Sequence, residues 1–499
     1  MVISMFYQST RGQIADVTGA AAIAGGLARD GGLFVPDAFP LLPPGAVETL
    51  ASMRYDGRAV RIMSPFLDDF DAGELSDFAR AAYCPGGFDD AGAAPVRRLT
   101  GGDFFLELWH GPTCAFKDMA LQIMPRLMTA AMQKTGDTRG VCVLVATSGD
   151  TGKAALEGFR GVPRTKIMVF YPRDGVSSVQ KLQMTTQEGD NVNVVAVEGN
   201  FDDAQTGVKR IFADDGFCER LASRGLFLSS ANSINWGRLL PQIVYYASAY
   251  CDLVSGGHIS RGERVNFCVP TGNFGNILAG YYAKKMGLPI GKLICASNRN
   301  DVLTQFINTG VYDRNREFFP TISPSMDILV SSNLERLLYE LSDRDGTAVS
   351  AYMDTLARDG VYTVGERARE LISAGFACGS CSDGEARRTI ADTFERYGYL
   401  LDPHTAVAYN VLARYRERTG DAAPAVVVST ASPYKFCDSV LDALGRVPDA
   451  AGADLVGALV EVSGVPAPEP IAALKDGRER FTRSVPLGGM LRAVEEFCG

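Results

Sequence analysis

The stretch HGPTCAFKDMALQ, residues 110–122, sets a lysine between an aromatic and an acid, where a turn-forming GPT gives way to a helical pattern. A lysine on a solvated helix face needs no such setting, whereas an amine that must form a covalent bond does. That residue is Lys117. Three other loops pair with it, each at the end of an apolar run. TSGDTG, 147–152, offers Ser148 and Thr151 hydroxyls and the N–H groups of a helix start, a cup for a small anion such as a carboxylate or equally a plain N-cap. PTGNFGN, 270–276, has Gly272 and Gly275, which let backbone approach an anion, and a helix start that suits a phosphate. STASPYKF, 429–436, releases the neutral hydroxyls of Ser429 and Thr430 from a buried strand. PTGNFGN matches neither the P-loop nor the dinucleotide fingerprint.

An amine at a helix start, a phosphate cup, a carboxylate cup and a strand-end hydroxyl are together the parts of a pyridoxal 5'-phosphate site. In such a site the lysine carries the cofactor, the glycine loop takes its phosphate, and the hydroxyl meets the ring nitrogen.

The elements that must position these loops follow from hydrophobic pattern. FFLELW, VCVLVAT, KIMVFY, NVNVVAV, LFLSSAN, RVNFCV, KLICASN and AVVVSTAS read as strands, alternating with helices near 116–134, 177–187 and 202–213 and from Trp236. Val- and Ile-rich strands alternating with helices predict parallel sheets covered on both faces, with ligands at the strands' polar ends. Residues 333–418 read as mostly helical, and the first hundred as short helices and links. The expected organisation is an α/β protein with an N-terminal, mostly helical segment at 1–95. A smaller α/β domain carrying Lys117 follows at 96–255, then a larger one with the phosphate loop and C-terminal helices at 256–499.

Composition narrows the partners. In 499 residues, 46% are hydrophobic and 21% charged, ordinary for a globular chain. A net charge of −9 argues against nucleic acid or an anionic membrane as the main partner. Neither a signal-peptide pattern nor a bilayer-length apolar run is present, so a soluble, cytoplasmic protein is expected. The 11 cysteines are scattered, which suits reduced thiols; the one CxxC, Cys378 and Cys381, lacks companion ligands, so no metal site is expected.

YQSTRG, GLARDGGLFVP, HGPTCAFKDMALQ, SGDTG, QMTTQEGDNV, NSINWGRLLPQ, PTGNFGN and DPHTAVA occur in an order that resembles the threonine synthase family, within the tryptophan-synthase-β-like group of fold type II pyridoxal-phosphate enzymes. The resemblance covers nearly the whole chain. It implies that Lys117 is the Schiff-base lysine and that Gly272, Asn273, Phe274, Gly275 and Asn276 cradle the cofactor phosphate. It further implies that Thr430 meets the ring nitrogen and that Ser148, Gly149, Asp150 and Thr151 surround the substrate carboxylate. The implied reaction turns O-phospho-L-homoserine and water into L-threonine and phosphate, Lys117 serving as base; a phospho-lyase releasing 2-oxobutyrate would carry nearly the same motifs.

Arg238 and Lys181 are the candidate cations for the leaving phosphate, with Asn232, Ser233 and Asn235 as hydrogen-bonding partners and Arg11 as a third cation. The wider group carries asparagine at the position of Asp150. An ionised carboxylate beside the cofactor's phenolate would be repelled, so Asp150 is expected to point away or to have a raised pKa. His110 and His404 are either loop-orienting or proton-transferring, and His258 lies on the surface. Asp118 is expected to act only as a charge at a helix start. The protein is expected to be a monomer or homodimer.

Overall fold

The computed structural model describes residues 4–84, 86–447 and 450–499. Two sheets organise the chain. The larger has six strands in the order Phe376–Ser380, Ile290–Ser297, Val265–Pro270, Ala425–Ser429, Asp103–Glu107 and Val96–Thr100; all are parallel except the last. The smaller has five parallel strands in the order Ser484–Pro486, Val192–Glu198, Thr165–Pro172, Gly140–Ala146 and Leu226–Ser229. The central strands are buried along nearly their whole length, as continuous runs of Val, Ile and Phe demand when helices cover both faces.

The sheets cut across the division expected at 255/256. Asp103–Glu107 pairs with Ala425–Ser429, so the strand leading to Lys117 belongs to the larger sheet. Ser484–Pro486 returns to pair with Val192–Glu198 in the smaller one, and helix Met490–Cys498 buries Met490, Ala493 and Val494 in that sheet's outer core. Lys117 therefore lies on the passage from one sheet to the other, and residues 96–107 and 484–498 exchange places relative to a contiguous division.

Other local differences have physical causes. The helix expected over 116–134 is two helices, Asp118–Leu121 and Met124–Lys134; Pro125 has no N–H to offer the Leu121 carbonyl. The CxxC lies on the edge strand Phe376–Ser380 and its exit, where Cys378 and Cys381 are buried thiols. Among the described residues no cluster of potential metal ligands occurs. Among its described residues the N-terminal segment alternates short helices between Gly19 and Tyr83 with irregular links, which take up more than half of it, and has an antiparallel pair, Tyr7–Ser9 and Phe34–Pro36. No described helix is long and apolar enough to cross a membrane.

Candidate active site

Lys117 stands at the N-terminal boundary of helix Asp118–Leu121. The loop ahead of it runs antiparallel to the segment that leaves strand Ala425–Ser429. Phe116 N–H donates to the Thr430 carbonyl at 2.8 Å and Ser432 N–H to the Cys114 carbonyl at 3.0 Å. These backbone bonds fix the lysine and Thr430 in one frame. Ser429 does not share that role: its hydroxyl accepts from Trp109 Nε1 and Thr405 Oγ1.

Asp118 does more than supply charge. Its carboxylate accepts from the Thr113 N–H at 2.9 Å, the Thr113 hydroxyl at 2.8 Å and the Gln122 amide at 3.1 Å, clasping the turn that presents Lys117. Burial pushes its pKa up to about 6, with these hydrogen bonds working the other way. Asp118→Ala strips the acceptor from buried Thr113 donors, an expected loss of about 2–3 kcal/mol, to be read as a lower urea midpoint.

The Lys117 ammonium is 3.3 Å from Asp150 Oδ2 and 3.5 Å from the Ser325 hydroxyl, and its residue is 6% exposed. Burial lowers its pKa; Arg238 and Lys435 push the same way and Asp150 opposes them. A lysine so depressed is a better base near neutral pH. Asp150 departs from expectation on both counts, since it faces Lys117 and is not raised. Burial pushes its carboxyl up, but the Lys117 and Lys435 ammonium groups and His404 together hold it well below the usual carboxylate range. Lys435 Nζ lies 3.3 Å from Asp150 Oδ1.

Thr147 takes over the capping of its loop, its hydroxyl accepting from the N–H groups of Gly149 and Gly152 at 3.0 and 2.9 Å. Ser148 and Thr151 are thereby left at the cavity wall with Asp150. Gly149 itself sits behind, at φ 123° with Gln180 only 2.5 Å from where a Cβ would stand. In the glycine loop, a Cβ on Gly272 would lie 2.6 Å from the Ser325 carbonyl oxygen. Phe274 adopts a left-handed φ of 62° just ahead of helix Gly275–Lys285. The Asn276 amide oxygen accepts from the Tyr245 and Tyr246 hydroxyls at 2.7 and 2.8 Å, which orients its nitrogen the other way.

These residues line one cavity of about 280 Å³ at the carboxyl ends of strands from both sheets. Lys117, Ser148, Asp150, Thr151, Asn232, Ser233, Arg238, Gly272, Asn273, Phe274, Gly275, Asn276 and Thr430 all reach it. Two of its buried nitrogens, Asn276 Nδ2 and Arg238 Nε, have no hydrogen-bond partner among the described residues. Among the described residues the Arg238 side chain makes no ion pair either, and its one hydrogen bond is from Nη1 to the Ala231 carbonyl at 2.8 Å. Burial lowers its pKa to about 10, against the opposing pull of Tyr245 and Asp118. A buried guanidinium with an idle N–H beside a depressed lysine is a demand for an anion.

Three expected residues do not line the cavity as phosphate ligands. Lys181 is exposed on helix Ser178–Thr185, which turns Gln180 inward to Asp150 instead. Arg11 is engaged with Glu335, its Nε 3.2 Å from Oε1. Asn235 is wholly buried as the cap of helix Trp236–Ser255, accepting from Gly237 N–H and donating to the Ile23 carbonyl. Lys209 and Gln205, on helix Phe201–Phe212, reach the cavity in their place.

His404 accepts the Ser325 N–H on Nε2 at 3.2 Å and turns Nδ1 to Asp402 at 2.9 Å, so both ring nitrogens are spent on holding the Ser325 loop. His110 lies between Asp89 and Glu107; burial works against its charge, yet the two carboxylates raise its pKa overall. It does not reach the cavity. His258 is exposed.

A group on helix Leu334–Leu341 and its approach had no sequence signal beyond an amphipathic pattern. The Asn333 amide donates to the Ser233 hydroxyl and the Asn273 carbonyl, both at 3.0 Å. Arg336, fully buried, donates to the carbonyls of Phe34 and Ile234 at 3.0 and 2.7 Å. Together they tie the 232–234 loop, the glycine loop and the N-terminal segment into one wall.

The family model described as threonine synthase N terminus matches residues 6–83, that of pyridoxal-phosphate dependent enzymes residues 91–372, and that of the threonine synthase C-terminal region residues 405–497. Threonine synthase-like 1 of Homo sapiens is 45% identical over 433 residues, 85% of this chain; the chain spans only 57% of that relative's length. The threonine synthase of Pseudomonas aeruginosa is 42% identical over 450 residues, covering 89% of this chain and 92% of the relative. The crystal structure of a pyridoxal-phosphate-bound threonine synthase from Brucella melitensis superposes with a TM-score of 0.87 at 39% identity, over 99% of each chain. With its fold and three segments matched in this order, the chain belongs to the threonine synthase family of pyridoxal-phosphate-dependent enzymes.

Proposed function

We propose that this protein is a threonine synthase, converting O-phospho-L-homoserine and water to L-threonine and phosphate. The observation that carries the reading is the buried excess of cation at the cavity. Lys117 and Arg238 line the cavity with a single carboxylate, Asp150, which Lys435 also pairs with from behind the wall, and Arg238 Nε and Asn276 Nδ2 have no partner among the described residues. A phosphorylated amino acid and a phosphorylated cofactor are anions of the charge such a site requires.

The donor set fits pyridoxal 5'-phosphate. The backbone of Gly272 to Asn276 and the Asn276 amide would take its phosphate, the Thr430 hydroxyl its ring nitrogen, and Lys117 its aldehyde. When bound, that cofactor supplies an electron-accepting ring in conjugation with the substrate's Cα. The chain's own residues would do the rest. Ser148 and Thr151 would hold the substrate carboxylate. Lys117, once released, would take and return protons at Cα and its neighbouring carbons, a task its lowered pKa favours. Arg238, with Asn232, Ser233 and Lys209, would bind the phosphate on Cγ and stabilise it as it leaves.

Two measurements test this. Phosphate should be released from O-phospho-L-homoserine and not from O-phospho-L-serine, whose shorter chain would not reach Arg238. Arg238→Met should raise KM for O-phospho-L-homoserine about 100-fold, the equivalent of losing one charge-assisted contact of about 2–3 kcal/mol. The cofactor absorbance should survive in that variant; its loss together with substrate binding would count against the assignment of Arg238 to the substrate phosphate.

A further inference from the structure

Lys435 is wholly buried, is not among the cavity-lining residues, and has no part in the chemistry above. Its ammonium has three oxygens around it: the Thr113 carbonyl at 2.7 Å, Gln183 Oε1 at 2.6 Å and Asp150 Oδ1 at 3.3 Å. Two of these oxygens, on Thr113 and Gln183, accept its hydrogen bonds, and the third, on Asp150, stands at ion-pair distance.

Asp150 divides its two oxygens between two lysines. Oδ2 faces the cavity, toward Lys117 at 3.3 Å and Ser325 at 3.4 Å; Oδ1 faces the interior, toward Lys435 and Gln180 Nε2 at 2.8 Å. On the functional reading above, Lys117 changes its bonding and its proton count during each turnover. A buried carboxylate neutralised by that lysine alone would lose its partner at those moments, at considerable electrostatic cost. Lys435, five residues beyond Thr430 in the short helical turn Pro433–Phe436, does not take part in those changes.

We infer that Lys435 is a positioning residue, the permanent counter-ion that keeps the Asp150 carboxylate charged and aimed at Lys117 while Lys117 itself reacts. The other charged or titratable groups facing this group come from several elements: Arg238 and His404 on the cavity side, and Lys153 and Asp118 beyond Lys435. None of them touches Asp150 Oδ1, so none duplicates Lys435.

The test is a cycle in the full-length, cofactor-loaded protein: Lys435→Met, Lys435→Arg, Asp150→Asn, and Lys435→Met with Asp150→Asn. It is read by the pH dependence of the cofactor absorption band and by the thermal unfolding midpoint. Removing a cation raises the pKa of the remaining amine and carboxyl alike, so Lys435→Met should move the spectral midpoint up by about 1 pH unit or more. Lys435→Arg should leave it near the wild-type value, and the double variant should bring it back, because opposite charges have been removed together. A Lys435→Met midpoint equal to that of the wild type, or a shift undiminished in the double variant, would overturn the assignment; the latter would mean that the Thr113 and Gln183 contacts alone matter.

If Lys435→Met fails to fold or to load cofactor, recovery in the double variant supports the counter-ion role and equal failure rejects it. A wild-type protein with no cofactor band would contradict the functional reading instead. The cycle is then read by unfolding midpoint, where Asp150→Asn should offset the loss caused by Lys435→Met and an additive loss would reject the role.

Discussion

Lys117→Ala is expected to abolish threonine formation and, with it, the covalent hold on the cofactor. Treatment with borohydride should leave the cofactor irreversibly attached to the wild-type chain at Lys117 and free in the variant. The loss should be near complete, since no other lysine is placed to substitute. Lys435 is locked by the Thr113 carbonyl, Gln183 and Asp150, while Lys209, at the cavity wall, and Lys181 are exposed. The variant should fold, because the Lys117 side chain bonds only to Asp150 and Ser325 while the loop is fixed by backbone bonds to Thr430 and by Asp118. A borohydride-reducible adduct retained by Lys117→Ala would place the covalent chemistry elsewhere.

Gly272→Val should cost the protein its grip on the cofactor phosphate. The first atom of any side chain there would stand 2.6 Å from the Ser325 carbonyl oxygen and 3.3 Å from Met326 Cα, both backbone atoms with little freedom to retreat. The Ser325 loop is pinned from behind by His404, so the glycine loop must shift instead. Overpacking of this kind costs about 1–3 kcal/mol, and the strain falls on the loop whose N–H groups must converge on one anion. Weakening of cofactor affinity by about 10- to 100-fold is expected, with the unfolding midpoint of the cofactor-free protein lowered in keeping with that cost. Gly272→Val with unaltered affinity would show that the phosphate sits away from this loop.

The parts of the site that could be read from sequence are those carried by short contiguous stretches. Lys117 in its turn-to-helix setting, Ser148 and Thr151 after a buried strand, the glycine loop and Thr430 all lie at strand ends, and the strands announced themselves by apolar runs. A parallel sheet then brings such ends to one side whatever the strand order. Strand order itself was not legible: nothing local tells Asp103–Glu107 to pair with Ala425–Ser429, and the three-residue strand Ser484–Pro486 is too short to show a period.

The direction of isolated basic side chains was equally hidden. Arg11, Lys181 and Arg238 each read as a cation near a motif, Lys435 is not singled out, and only folding separates the four. One pairs with Glu335, one faces solvent, one lines the cavity with an idle N–H, and one is locked behind Asp150. Asn235 belonged to the right motif but caps the helix rather than facing the cavity. The Asn333 and Arg336 ties join segments distant in sequence, and an amphipathic helix gives no sign of them.

The measurement that bears most directly on the account is a single incubation of the cofactor-loaded protein with O-phospho-L-homoserine, followed for phosphate, threonine and 2-oxobutyrate together. Phosphate and threonine rising in equal amounts is the predicted result. Phosphate matched by 2-oxobutyrate, or no phosphate at all, would contradict it.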